Sequence, residues 1–139
     1  MEPRTRALMA LRRSRRIETD LARRDLGVVL AHEADLIAGE QAIAREVEGA
    51  RREIGAFDPD VFAAWLGRMA ARRAALGEEA RAAAETVAAA RRELAARRMA
   101  ETAAEDALGH IMAERALEVA RRDQMTLEDV ARALRRGVG

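Results

Sequence analysis

The sequence predicts an all-α protein, a long antiparallel coiled-coil hairpin of two helices with a helical C-terminal overhang. Of the 139 residues, 34 are alanine and only three are aromatic, so little side-chain bulk is present to fill a three-dimensional core. Charged residues make up 35 %, and the excess of alanine, arginine, glutamate and leucine is typical of long helices and coiled coils. We therefore expect a single unit over 1–139 and no strand-rich fold.

The two prolines mark the expected helix starts. Around the second proline, Gly55 is suited to end a helix, Asp58 to cap the next one, and Pro59 to occupy its first turn. The predicted elements are a first helix over about 4–54, a turn at 55–58 and a second helix over about 59–122.

The larger apolar residues of the first helix are mostly three, four or seven residues apart and are expected to face the second helix. They are Leu8, Leu11, Ile17, Leu21, Val28, Val29, Leu36, Ile43, Val47 and Ile54. Their phase slips by one residue at Val28 and Val29, which a straight helix can absorb.

In the second helix the 3-4 alternation holds for seven heptads in two rows. One row is Leu66, Arg73, Ala80, Val87, Leu94, Glu101 and Leu108, and the other is Met69, Leu76, Ala83, Ala90, Arg97, Ala104 and Ile111. So narrow a stripe is wide enough to face one partner helix only.

The short turn makes the helices antiparallel and fixes an expected register. Its pairs are Ile54 with Val61, Val47 with Leu66, Ile43 with Met69, Leu36 with Leu76, Ile17 with Leu94, and Leu8 with Ala104. The first helix then ends opposite about residue 112, leaving 113–139 as an overhang on a rod.

The overhang has an amphipathic pattern of its own. Thr126 and Asp129 resemble a capping box, and Leu127, Val130 and Leu134 share one face. We expect either a separate helix over about 126–136 or a continuation of the second helix. Its apolar face is a candidate contact surface, unless the segment folds back on the rod.

The residues needed for catalysis, cofactor binding or metal binding are scarce. The chain has no cysteine, its two histidines are far apart, and no phosphate-binding glycine pattern occurs. The isolated glycines are expected to permit close packing or local bending. No apolar run has the length of a signal peptide or membrane span. We expect a non-enzymatic cytoplasmic protein without catalytic, cofactor or metal sites and without direct membrane insertion.

Positive charge is concentrated at the predicted end opposite the turn. Residues 1–24 carry eight arginines against three acids, whereas residues 25–60 carry three arginines against nine acids. Such a basic end suits an acidic protein partner, a nucleic acid, or an ordinary solvated face. Nucleic acid is disfavoured because no aromatic residue is available there for stacking and acids interleave the tail.

All aromatic bulk lies beside the turn, in a group that we call the turn cluster. Its members are Phe57, Val61, Phe62, Trp65, Leu66 and Met69. Helical spacing lets one side of the turn cluster face the first helix and leaves the other side partly exposed. The turn cluster is either a binding anchor or a plug for the hairpin end.

The whole-chain pattern resembles the FliJ/YscO family, the stalk proteins of type III export ATPases in flagellar and virulence secretion systems. The similar features are the length, the opening Leu8-Met9-Ala10-Leu11-Arg12-Arg13 helix, the long hairpin and the charged tail. The most similar segment begins at Met112 and leads into Leu127-Glu128-Asp129-Val130-Ala131.

This resemblance implies a stalk that inserts its paired helix ends into a hexameric ATPase ring and links the ring to the export gate in the membrane. It also implies contact with secretion chaperones, a cytoplasmic location peripheral to the inner membrane, and a monomer when free. Charge and expected exposure at the basic end give the candidate ATPase-binding residues, which are Arg4, Arg6, Arg12, Arg13, Arg15, Arg16, Arg115, Arg121, Arg122, Leu127, Val130 and Leu134. The candidate gate-binding residues are Phe62, Trp65, Leu66 and Met69, and of these the resemblance itself matches only Phe62.

Two alternatives remain open at this point. One is a coiled coil that binds nucleic acid through its basic end, which would show steep loss of binding with rising salt. The other is a homo-oligomeric scaffold in which the alanine-rich seam of the second helix pairs between chains.

Overall fold

In the computed structural model, which describes residues 2–138, the chain is helical almost throughout. Helix α1 spans Pro3–Arg52, a short 3-10 helix spans Ile54–Ala56, and helix α2 spans Pro59–Val138. The two long helices are in close contact and the described residues contain no strand, so the all-α prediction is confirmed. Met1 and Gly139, the ends of the predicted 1–139 unit and overhang, lie outside the described residues.

The connection between the helices is short and capped. Asp58 Oδ1 accepts hydrogen bonds from the backbone N–H groups of Asp60 at 2.9 Å and Val61 at 3.3 Å. These bonds satisfy donors that have no partner within the first turn of α2. The predicted N-cap at Asp58 and first-turn proline at Pro59 are confirmed, while α1 ends at Arg52 and Gly55 lies in the 3-10 helix.

Helix α2 runs to Val138 without a break at the possible tail boundary. The Thr126 hydroxyl donates to the Arg122 carbonyl oxygen at 2.9 Å, one turn earlier in the same helix. A threonine with that hydrogen bond is part of a helix interior instead of capping a new helix. Of the two alternatives for the tail, the structure therefore has the continuation.

The described residues form two compact units, each containing a part of α1 and a part of α2. Unit 2 is Thr19–Ala96, and unit 1 comprises the described residues up to Glu18 and from Arg97 onward. Each unit has buried residues of its own.

The interior of unit 2 is lined by small and aliphatic side chains. Its buried residues are Thr19, Ala22, Leu36, Ile43, Phe62, Ala83, Val87 and Leu94. An ion pair crosses between the helices in this unit, with Arg73 Nε 3.7 Å from Glu40 Oε1.

The interior of unit 1 is smaller and more polar. Its buried residues are Thr5, Ala104, Leu108 and Ile111. Two buried polar atoms, Thr5 Oγ1 and Arg12 Nε, have no hydrogen-bond partner within residues 2–138. An unsatisfied buried polar atom costs free energy, so we expect this unit to be the less strongly stabilised of the two.

The rows predicted on α2 are buried or half-buried except for Arg73, which is exposed, but the face predicted on the N-terminal half of α1 is wrong. Leu11, Ile17, Leu21 and Val28 are exposed, and Ile17 is 61 % exposed whereas its expected partner Leu94 is buried. Ile54 and Val61, the pair expected at the turn, are both exposed as well.

The reason is the phase of α1. Continued backward in sevens, the buried pair Ile43 and Leu36 leads through Val29 to Ala22, which is also buried. A helix that keeps one face against its neighbour must bury that series whatever its side chains. Val28 lies one residue out of phase and is therefore exposed.

Two cavities show which parts of α1 and α2 are neighbours within each unit. Ile43, Val47, Leu66 and Met69 line one cavity of about 660 Å³ in unit 2. In unit 1, another cavity of about 600 Å³ is lined by Thr5, Met9, Met112, Arg115, Ala116 and Val119. The first helix therefore starts alongside residues 112–119, beyond the predicted Leu8 and Ala104 pairing.

Candidate protein-interaction surfaces

The C-terminal part of α2 is one candidate surface, and it lies wholly in unit 1. From Met112 to Val138 every residue except Ala131 is exposed. Leu127 and Leu134 are each 66 % exposed, and Val130 is exposed beside them. These apolar side chains are in contact with water unless a partner covers them.

Exposed arginines surround this surface on α2. Arg121 and Arg122 are exposed, whereas Arg115 lies at the edge of the cavity that α2 shares with Thr5 and Met9. The predicted ATPase-binding residues of α2 are therefore brought together on one continuous helical segment.

The predicted arginines of α1 are less uniform. Arg4, Arg6, Arg13 and Arg16 are exposed, while Arg12 and Arg15 are half-buried. Even exposed arginines differ in how much of their charge is already balanced within the chain.

Two α1 arginines form ion pairs inside unit 1. Arg16 Nε is 3.6 Å from Glu101 Oε1, and Arg16 Nη2 is 3.5 Å from Glu105 Oε1. Arg15 Nη1 lies 3.1 Å from Glu18 Oε2, the oxygen that also lies 3.2 Å from Arg97 Nη1. These acids neutralise part of the basic end.

Sequence reasoning did not assign Glu101 and Arg97 that role, although a signal was present. Both are charged residues within otherwise apolar or alanine rows of α2. A charge at a helix-facing position needs an opposite charge or a path to solvent, so a partner on α1 is expected at its level.

The turn cluster is the second candidate surface, in unit 2. The rings of Phe57 and Phe62 stack with centroids 5.6 Å apart, and those of Phe62 and Trp65 with centroids 5.9 Å apart. Phe62 is only 8 % exposed and forms the centre of the stack, whereas Phe57 and Val61 are exposed.

The predicted gate-binding residues separate into two pairs. Phe62 and Trp65 line a cavity of about 420 Å³ between the turn and α1. Leu66 and Met69 line the larger cavity already described in unit 2. The most exposed side chains of the turn cluster are Val61 at 64 % and Phe57 at 43 %, and the gate-binding set omits both.

The histidines and carboxylates of the described residues are predicted to form no metal site. Residues 2–138 contain no group of three or more histidine, cysteine, aspartate or glutamate side chains that could hold a metal ion. His32 lines a cavity of about 260 Å³ with Glu79 and Thr86 in unit 2, and His110 is exposed in unit 1. Within the same range, neither helix has a stretch sufficiently apolar and long to traverse a bilayer.

A comparison of the chain with protein-family models, with curated proteins and with solved structures finds no match.

Proposed function

We propose that the protein is a non-enzymatic central stalk, or adaptor, of a type III secretion or flagellar export apparatus. In this proposal the ends of α1 and α2 that belong to unit 1 enter a hexameric ATPase ring. The single observation that carries it is the exposed continuation of α2 to Val138, which presents arginines and leucines together. A charged surface with apolar anchors is suited to a protein partner.

The proposal includes an antiparallel coiled coil, since a stalk must hold its two helix ends together. Support comes from cross-helix ion pairs whose numbers run in opposite directions. In unit 1, Arg16 pairs with Glu101 while Glu18 pairs with Arg97, so a later residue of α1 meets an earlier residue of α2.

Within the basic end, Arg121 and Arg122 are the residues we expect to contact acidic groups of the ring. Both are exposed on α2, whereas Arg15 and Arg16 are already engaged by acids of this chain. Exposed charges on a protein surface increase the association rate with an oppositely charged partner.

The turn cluster is proposed to contact the export gate, with secretion chaperones as further partners. Phe57 and Val61 provide exposed apolar area, and the stacked Phe62 and Trp65 hold the cluster in shape. The proposal places the protein in the cytoplasm, peripheral to the inner membrane as part of the apparatus.

The test is ATP hydrolysis by the export ATPase of the same cell, with and without the purified protein, together with co-sedimentation. The informative variant is Arg121→Glu/Arg122→Glu, and its matched control is Arg91→Glu/Arg92→Glu, an adjacent exposed arginine pair of α2 in unit 2. We expect stimulation by the wild type, at least about tenfold weaker binding for the first variant, and normal binding for the control.

Two results would contradict the proposal. One is the absence of both co-sedimentation and stimulation with wild-type protein. The other is equal activity of the two double variants, because the basic end of unit 1 would then have no part in ring binding.

A further inference from the structure

A stripe of apolar and alanine residues, interrupted only by Gln124, runs along the last part of α2, and among the described residues all of its members except Ala131 are exposed. Successive members are separated alternately by four and three residues, the spacing of a coiled-coil seam. The stripe is Ala113, Leu117, Ala120, Gln124, Leu127, Ala131, Leu134 and Val138. Leu117, Leu127, Leu134 and Val138 are all exposed.

The stripe is offset around α2 from the residues that share a cavity with α1. The residues of α2 that share a cavity with α1 in unit 1 include Ala116 and Val119. At 100° per residue, Leu117 is about 100° from Ala116 and about 160° from Val119, whereas Ala120 is about 100° from Val119 and about 40° from Ala116. Because residues 120–138 are exposed except Ala131, a further helix can pack on this part of the stripe without displacing α1.

The charges beside the stripe show which helix would fit. Glu114, Arg121, Glu128 and Arg135 occupy the same flanking position in four successive heptads, and their signs alternate. All four are exposed, and within residues 2–138 Glu114, Arg121 and Arg135 have no ion-pair partner. In an antiparallel pair of helices, residues at this flanking position face their own counterparts.

A second copy of the same segment has the complementary charges. When Leu127 packs beside Gln124 of the second copy, Leu134 packs beside Leu117 of that copy. In this register Glu114 faces Arg135 of the second copy, and Arg121 faces Glu128 of the second copy. The two-fold symmetry repeats both contacts, so four flanking pairs form and all of them are opposite in charge.

The same charges exclude the neighbouring registers. A shift by one heptad in one direction places Glu114 against Glu128 of the second copy and Arg121 against its own counterpart. A shift in the other direction places Arg121 against Arg135 and Glu128 against its own counterpart. Each shift replaces attraction by repulsion, which is how charged flanking positions specify register.

From this complementarity we propose that two copies of the protein pair antiparallel through residues 113–138 of α2. The pairing covers the exposed leucines and replaces the monomer expected from the sequence for the free protein. It does not depend on the proposed ATPase partner. Leu127 and Leu134 contact the second copy in the dimer and the ATPase ring in the proposed function. Binding of the second copy therefore excludes binding of the ring.

Sedimentation equilibrium of the full chain, from about 10 µM to about 500 µM, tests the pairing. We expect a monomer–dimer equilibrium for the wild type. Glu128→Arg turns two of the four flanking pairs into like-charge contacts and is expected to weaken the dimer at least about tenfold. Arg121→Glu/Glu128→Arg exchanges the charges, restores all pairs and is expected to restore the wild-type dimer.

The matched control is Asp129→Arg, which makes the same change of charge one residue away. Asp129 lies off the stripe and pairs with Arg132 of its own helix at 3.7 Å, an exposed contact of little energetic weight. The control is expected to dimerise as the wild type does. Circular dichroism of each variant checks that helix content is unchanged.

Orientation is measured with a spin label. Because the chain has no cysteine, Arg136→Cys supplies one labelling site, outside the stripe. Antiparallel pairing places the two labels about 22 residues apart along the common axis, or about 33 Å. Parallel pairing would place them at the same level.

Three results would overturn the proposal. The first is a wild-type monomer throughout the concentration range. The second is a double variant that remains as weak as Glu128→Arg, or a control that is weakened equally. The third is a pair of labels at the same axial level.

Discussion

At the residue scale, burial in α1 does not follow side-chain size. In unit 2, Thr19 is 0 % exposed and Ala22 is buried, whereas Leu21 between them is 51 % exposed. The side of a helix that faces its neighbour is set by the most strongly apolar part of its repeat, here Leu36 and Ile43. A threonine or alanine at the same positions of the repeat is then buried as well, because the side chains of one helix keep fixed directions relative to one another.

Leu36→Ala and Leu21→Ala test this phase with the same substitution in the same helix. Leu36 is 8 % exposed, so its truncation leaves a cavity and is expected to lower the free energy of unfolding by about 2–4 kcal/mol. Leu21→Ala is expected to cost less than about 1 kcal/mol. Urea unfolding followed by circular dichroism measures both, and equal losses would mean that Leu21 also faces α2.

At the scale of the element, the glycines of the helices do not serve close packing at most positions. A Cβ atom built on Gly67 or Gly109 would have no atom within 4 Å, and neither backbone has a positive φ. The expectation of close packing is therefore wrong at these two positions. At these positions glycine lowers the free energy of unfolding, because a glycine backbone has more conformational freedom in the unfolded chain than an alanine backbone.

Gly67→Ala is accordingly expected to raise the free energy of unfolding by about 0.5–1 kcal/mol. The reverse change at an exposed alanine of the same helix, Ala103→Gly, is the control and is expected to lower it by a similar amount. Thermal unfolding followed by circular dichroism shows whether each variant is more or less stable than the wild type. Destabilisation by Gly67→Ala would indicate a close contact at Gly67 that the structure does not contain.

At the scale of the whole molecule, we expect the two units to differ in stability. Unit 2 buries aliphatic and aromatic side chains from both helices, including Leu36, Ile43 and Phe62. Among residues 2–18, unit 1 buries only Thr5, and Arg12 Nε has no hydrogen-bond partner among the described residues. Local opening is easier where fewer apolar contacts must be broken.

Hydrogen exchange of the backbone amides is expected to reflect this difference. Residues 120–138 of α2 should exchange fastest at concentrations where the chain is monomeric, residues 3–18 of α1 more slowly, and residues 19–50 slowest. Mass spectrometry measures deuterium uptake of the folded protein peptide by peptide. The exchange rates of the same peptides in denaturant serve as the unfolded reference. Equal protection of 3–18 and 19–50 would show that the two units are equally stable.

Only some features of the candidate surfaces could be predicted from the sequence, and each of the others has a physical reason for being missed. The exposed leucines of the tail follow from an apolar stripe that has no counterpart on the shorter α1. The pairing of Arg16 with Glu101 and Glu105 does not follow from composition, because it depends on the rotation and axial position of two helices. Phe62 likewise looks like an anchor in the sequence, and only the stacking of its neighbours shows that it is buried.

Interactions between neighbours along the chain account for the two long helices, the Asp58 cap with Pro59, and the largely buried rows of α2. These features rest on local hydrogen bonding and on a periodicity that repeats over many turns, so they could be predicted. The buried face of α1, the position of its start beside α2, and the arginines that already form ion pairs could be read from the tertiary structure alone. Those outcomes depend on contacts between distant residues, since a phase slip such as Val28 to Val29 leaves two faces almost equally apolar until a partner helix selects one.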